Sequence, residues 1–366
     1  MMSGRIAWWQ PELDKEERER VIQVLASNYI NDGEVTEEFA RRIATLSDAK
    51  FGLGVTSGTS AIYLSLVALG VGHGDEIIIP DMTFIATANA VSMADAMPVL
   101  VDVDPGTLNI SVAAMEAAIT SKTKAVVPVH VSGRAADMKN ILRVCQQRGL
   151  AVVEDAAEAF CSRHNGRNLG TFGQTGCFSF SPNKVITTGQ GGVIVTNDAA
   201  IFQRLRELKD QGRPLRGTGG ADVHERIGFN FKLTNLQGAV GLGQLEKLDA
   251  RLERIRQTYR IYRDELAGVN GIRVLPFKIE TGEQPQWIDA LAERRDELDG
   301  FLAKNGAGCR RFWFPLHTQK PYLRDDSDFP NSTRLGKEAI WLPSAFQMID
   351  NDVRTVCRLI RQFYRA

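Results

Sequence analysis

Cysteine is scarce in this chain of 366 residues: Cys145, Cys161, Cys177, Cys309 and Cys357 are scattered, odd in number and never in CxxC spacing. That pattern argues against a disulfide framework and against a zinc site. Net charge is absent too, since 44 Lys and Arg residues offset 44 Asp and Glu. A global basic field for gripping nucleic acid is missing, so no nucleic-acid partner is expected. No apolar run approaches the roughly 18 residues that a membrane span needs. The opening MMSGRIAWWQPELDKEERER turns charged at once and holds no apolar stretch of signal-peptide length. Repeats and low-complexity segments are not visible, which removes solenoids and tails. The expectation is a cytoplasmic protein with no membrane partner and no metal.

What is present is ordinary globular material. Hydrophobic residues make up 43% and charged residues 24%, enough for a sizeable core and too apolar for disorder. At roughly 100–200 residues per domain, the length suits a large domain and a smaller one. From about 50 to 200, short apolar runs alternate with amphipathic ones. EIIIP (76–80), MPVLVDV (97–103), KAVVPVHV (124–131), LAVVEDA (150–156) and GGVIVTN (191–197) read as buried strands. Segments 59–70, 84–94, 111–120 and 137–149 read as the helices between them. This alternation predicts crossover units and a mostly parallel sheet covered on both faces. Residues 234–267 read as helical, with Leu242, Leu245, Leu248 and Leu252 on one face. The remainder, with RRDELDGFLAKNG and NDVRTVCRLIRQFY as helices, reads as a smaller α+β domain. The division falls at 1–245 and 246–366.

Ligands of open α/β sheets sit at the carboxyl ends of strands, so the chemistry is sought there. In VTSGTSAIYLSLVALG a strand-like run leads into Gly58, Thr59 and Ser60 and then a helix. Small residues at a helix start leave N–H groups uncovered for an anion such as a phosphate; a plain Ser/Thr cap is the other reading. In VVEDAAEAF, Asp155 ends an apolar strand, where a carboxylate is costly unless it meets a cation, a metal or a protonated cofactor nitrogen. It could also merely cap the next helix. Glu158 follows three residues later, but no His or Cys stands at ligand spacing to complete a metal site. In TGCFSFSPNKVITTGQGGVIVTN, Lys184 lies between an aromatic-rich strand and a Gly-rich turn. It is either a solvated loop lysine or a buried amine fit for a Schiff base. Pro182 and the flanking glycines favour a fixed backbone path, and Ser179 is a second candidate for a phosphate. An anion cradle, an acid and a lysine in this order are the parts of a pyridoxal phosphate site.

With SGTSA, PDMTFIATANAV, VVEDAAEAF, CFSFSPNKVITTGQGG, GFNFKLTNLQGAVGLGQLEKLD, FPLHTQKPY and IWLPSA in order, the chain resembles the DegT/StrS-type nucleotide-sugar aminotransferases. The resemblance runs from about residue 8 to near the C-terminus. Within the family it is nearest to the perosamine synthase-like enzymes that aminate 4-keto-6-deoxy sugars, where an Asn also precedes the lysine. The resemblance implies a pyridoxal phosphate fold type I large domain with a mainly parallel seven-stranded sheet and a small α+β C-terminal domain. It implies Lys184 as Schiff-base lysine and proton shuttle, and Asp155 as partner of the ring nitrogen. Gly58, Thr59 and Ser179 would hold the phosphate. Phe84, which alone reads as a core aromatic, would cover one ring face, with Glu158 beside the cofactor. Asn230 in GFNF, otherwise a turn residue, would reach the phosphate of the second copy in a homodimer with shared sites. The implied activity is transfer of an amino group from glutamate to a keto group of a nucleotide-linked sugar.

Some positions stay open. His317 in PLHTQKPY would contact substrate or be a packed loop histidine, and His130 in VPVHVSG reads as structural. Segment 277–296 is shorter than in many relatives, which leaves the sugar and nucleotide site least defined. One branch of the family carries histidine at the lysine position and dehydrates its sugar; the intact Lys184 favours transamination over that alternative. A non-catalytic regulator that binds the cofactor is the other rival, and zero net charge speaks against a DNA reader.

Overall fold

The computed structural model of the chain describes residues 5–214, 224 and 226–365. Two helices, α1 (Lys15–Ser27) and α2 (Glu34–Leu46), lead into β1 (Phe51–Val55). The first starts where a capping box allows: Asp14 accepts from Glu16 N while Glu17 reaches back to Asp14 N at 2.8 Å. Strands and helices then alternate through α3 (Gly58–Ala68), β2 (Glu76–Pro80), α4 (Ala86–Met93), β3 (Met97–Val101), α5 (Val112–Ala117), β4 (Thr123–Val126), α6 (Met138–Arg148) and β5 (Ala151–Asp155). A two-residue ladder, β6 (Arg163–His164) and β7 (Arg167–Asn168), precedes β8 (Thr175–Ser179), β9 (Gly192–Thr196) and α7 (Ala199–Lys209).

Seven strands form one sheet in the order β1-β9-β8-β5-β4-β2-β3. Every pairing is parallel except the two made by β9. Ile77, Ile78 and Ile79 of β2 are fully buried, as a strand covered on both faces requires, each stabilising by about 2 kcal/mol. The strand expected over 124–131 stops at Val126, because Pro128 has no N–H to continue the ladder.

The helical stretch 234–267 is two helices, α8 (Asn235–Leu245) and α9 (Leu248–Glu265). Lys247 leaves helical geometry (φ −104°, ψ 2°), and its amine is drawn to Glu17 of α1 at 2.8 Å. Leu242, Leu245, Leu248 and Leu252 still share one buried cluster across the break. Beyond it, β10 (Ile272–Val274), β11 (Ile288–Ala292), α10 (Arg295–Lys304), β12 (Arg310–Arg311), α11 (Pro330–Glu338), β13 (Ala339–Leu342) and α12 (Asp350–Arg365) complete the chain. Their antiparallel sheet, β10-β11-β13-β12, shares a core with α9, α10 and α12. Ile6 bridges to Ala307 and packs on this second core, so the first described residues lie with the last.

One cluster joins the halves. Met82, Val103, Val129 and Val131, beyond the carboxyl ends of the parallel strands, pack with Leu291, Phe312, Trp287 and Trp341 of the second half. The second sheet therefore roofs the edge where α/β sheets bind ligands.

Candidate functional site

The turn after β1 begins the site. Ser57 caps α3: Ser60 N donates to Ser57 Oγ at 3.1 Å and Ser57 N donates to Ser60 Oγ at 2.9 Å. The capping role thus belongs to Ser57, one residue ahead of Gly58 and Thr59. Their N–H groups sit in the first turn, where a helix offers no internal acceptor and the dipole favours an anion. A Cβ on Gly58 would lie 2.9 Å from Ser179 Cβ, so glycine is what lets this turn close on the end of β8.

Asp155 ends β5. Its Oδ2 accepts from Thr87 Oγ1 at 2.7 Å and its Oδ1 from Ala157 N at 3.1 Å. No helix follows it; the next element is the ladder at 163, so the carboxylate is not a helix cap. Burial pushes its carboxyl above the usual range, opposed by the bonds from Thr87 and Ala157 and by the charge of Lys184. Glu158 is buried as well, its Oε2 accepting from Ser132 N at 3.0 Å. Burial raises this carboxyl too, with the Lys184 ammonium the largest opposing influence.

Lys184 is buried, its Nζ 3.3 Å from Glu158 Oε1 and 4.7 Å from the Trp287 ring centre. Its loop is held from both sides. Trp287 Nε1 donates to Asn183 O at 3.1 Å, Val185 N donates to Gln286 Oε1 at 3.2 Å, and Phe180 N donates to Gly191 O at 2.9 Å. A solvated surface loop is thereby ruled out for this lysine.

These groups line one cavity of about 330 Å³, which gathers Gly58, Thr59, Phe84, Asp155, Glu158, Ser179 and Lys184. A larger opening of about 440 Å³ lies between α2, β1 and α7, but it contains none of these residues. Chemistry, not volume, selects the site. The profile of the DegT/DnrJ/EryC1/StrS aminotransferase family matches residues 11–361. The chain belongs to this family. GDP-perosamine synthase of Escherichia coli O157:H7 is 36% identical over 361 residues, 97% of this chain and 98% of that protein. EpsN of Bacillus subtilis, named as a pyridoxal phosphate-dependent aminotransferase, is 33% identical over 383 residues, 100% of this chain and 97% of that one. Among solved structures, DesI in the presence of its TDP-sugar product superposes with a TM-score of 0.90 at 28% identity, covering 100% of this chain and 94% of that chain. This is a pyridoxal phosphate-dependent aminotransferase of the sugar-modifying family.

Two expected residues of the aminotransferase lie away from the cavity. Asn230 is exposed, on an isolated bridge to Asp210, and does not line it. Part of the preceding segment, 215–223, falls outside the described residues. His317 is fully buried: its Nδ1 lies 2.6 Å from Asp81 Oδ2 and its ring stacks on Phe329 at 4.7 Å. It is a packed histidine, not a cavity residue. His130 is structural as expected, its Nε2 2.9 Å from buried Glu154 and its Nδ1 accepting from Ala136 N. Sequence reasoning missed Arg310 of β12 and Trp341 of β13, with Trp287 just before β11 and Trp313 just after β12, all of which line the cavity. No sequence pattern marks them; the five tryptophans of the chain converge only in the fold, with Trp287–Trp341 at 4.8 Å, Trp313–Trp341 at 5.1 Å, and Trp8 at 5.7 Å from Trp287 and 6.4 Å from Trp9.

Proposed function

We propose that this aminotransferase moves an amino group from glutamate to the keto group of a nucleotide-linked sugar, specifically a 4-keto-6-deoxy sugar. The observation that carries the reading is the buried Lys184 amine, held by Glu158 in the same cavity as Asp155 and the start of α3. The relative named GDP-perosamine synthase and the DesI structure with its TDP-sugar product support the substrate class.

The cavity fits pyridoxal phosphate. Its volume is within the range of small-molecule pockets, and it presents anion donors, the two buried acids Asp155 and Glu158, and one amine. In this reading Gly58 N–H, Thr59 N–H and the Ser179 hydroxyl would hold the phosphate, and Asp155 would pair with the ring nitrogen. Thr87 fixes the orientation of the Asp155 carboxylate through the 2.7 Å bond. When bound, the cofactor supplies an aldehyde that carries the amino group and a ring that withdraws electrons. Lys184 Nζ would hold the cofactor's aldehyde and, once freed, would serve as the base and acid that moves a proton at the substrate carbon in both halves of the exchange. Glu158 is the local acceptor that steadies the lysine, and Phe84, half-exposed at the rim, would cover one side of the cofactor ring. A second copy of the chain completes the site through Asn230.

The test converts the protein to its pyridoxamine form and offers keto sugars linked to GDP, dTDP and UDP. The reading expects the pyridoxal spectrum to return with at least one of them and an amino sugar to form. If none restores it while glutamate still runs its own half of the cycle, the substrate class is wrong.

A further inference from the structure

We infer that Arg310 and the tryptophan wall beside it seat the nucleotide sugar, the guanidinium taking the diphosphate and the indole faces the sugar ring. The inference rests on the nucleotide-sugar reading above. It starts from strand register. Arg310 stands opposite Trp341 and Arg311 opposite Ile340 across β12 and β13. Side chains alternate along a strand, so the two arginines serve opposite faces. Arg311 finds carboxylates, with Asp296 and Asp299 each 3.4 Å away. Arg310 lines the cavity, and among the described residues no carboxylate lies within ion-pair distance of it.

Two indoles hold it instead. Its Cζ lies 4.9 Å from the ring centre of Trp8 and 5.5 Å from that of Trp341. Stacking engages the faces of a guanidinium and leaves its in-plane N–H donors available, the edge that binds phosphate oxygens in pairs. The other cation lining the cavity is Lys184, already engaged with Glu158. An anionic substrate therefore meets Arg310 as the cavity's unengaged positive charge among the described residues.

The order along the wall matches the order along the ligand. Lys184 Nζ lies against Trp287, Trp287 neighbours Trp341 at 4.8 Å, and Arg310 lies over Trp341. In a nucleotide sugar the keto carbon, the C–H faces of the ring and the diphosphate follow in the same sequence. Indole faces are electron-rich and suit the weakly positive C–H edge of a pyranose.

The test titrates the holoenzyme with GDP, TDP and UDP, and with the phosphate-free nucleosides, following tryptophan fluorescence. Arg310→Gln is expected to weaken binding of the best diphosphate by about tenfold or more while leaving nucleoside binding unchanged. Arg310→Lys, which keeps the charge but loses the planar fork, should recover only part of the affinity, and Arg311→Gln, an equal loss of charge on the other face, should bind like wild type. Melting curves establish that each variant is folded. Equal diphosphate binding by Arg310→Gln and wild type overturns the inference alone. A slowed glutamate half-reaction with unchanged diphosphate binding overturns it in favour of a donor-carboxylate anchor. If wild type binds none of the three diphosphates, the nucleotide-sugar reading falls with it.

Discussion

Replacing Asp155 by Asn removes one charge and almost nothing else. Asn can still accept from Ala157 N, and the Thr87 hydroxyl, now 2.7 Å from an amide position, can turn to accept instead of donate. One hydrogen bond is inverted and none is lost, so the cost to the fold is about 1 kcal/mol or less. The cost to catalysis is of another size. The carboxylate is buried in the cavity, where burial strengthens every charge and water cannot stand in for it. Losing a preorganised charge of this kind costs roughly 3–4 kcal/mol, or about two to three orders of magnitude in rate. The assay compares single-turnover rates with glutamate for wild type and Asp155→Asn, each saturated with cofactor, beside their melting curves. A folded variant within about tenfold of wild type, a deficit of only ~1.4 kcal/mol, would refute the assignment of Asp155 to the ring nitrogen.

The remaining predictions follow from the same geometry. Burial raises the Asp155 carboxyl above its ordinary 3.8 in the folded chain, so the cofactor-free protein binds this proton more tightly than the unfolded chain does. Stability from this group is then full below pH 3.8 and declines as pH rises through the folded value. Cofactor-free Asp155→Asn should gain in melting temperature over wild type across that rise and keep the gain at neutral pH; a gap independent of pH would contradict the raised value. Gly58→Ala places a Cβ 2.9 Å from Ser179 Cβ, so the turn must open and cofactor affinity should fall by about tenfold in an absorbance titration. Unchanged affinity would remove Gly58 from the phosphate seat. Mixing Asn230→Asp with Lys184→Ala, each inactive alone, should restore activity to roughly a quarter of wild type after subunit exchange, because half the dimers then carry one intact site. No recovery, with exchange demonstrated, would mean that Asn230 does not serve the other copy.

The sheet was largely legible in the sequence because its strands are buried on both faces and read as unbroken apolar runs, EIIIP above all. Its errors have local causes. Pro128 cut short a strand that hydropathy alone extends to 131. Lys247 split one apolar stripe into two helices through a tertiary pull from Glu17, which no periodicity records. The cavity gathers Gly58, Asp155, Ser179 and Lys184, whose places at or shortly after the ends of strands made them candidates in the sequence. His317 was not legible, since a histidine packed on Asp81 and one facing a ligand look alike in a loop sequence. Arg310 and the tryptophans were missed because residue 8 and the segments around 287, 310–313 and 341 meet only once the second sheet has paired and the N-terminal segment lies against it. Asn230 is exposed and lies off the cavity of its own chain, so its proposed role rests on the subunit-mixing experiment.

The most direct test of the account is borohydride reduction of the holoenzyme followed by peptide mapping. Reduction makes the lysine–cofactor bond permanent, so a single pyridoxyl group should appear on the peptide that contains Lys184 and should be absent from Lys184→Ala, which also lacks turnover. A pyridoxyl group on any other lysine, or a fully active Lys184→Ala, would contradict the assignment on which the mechanism depends.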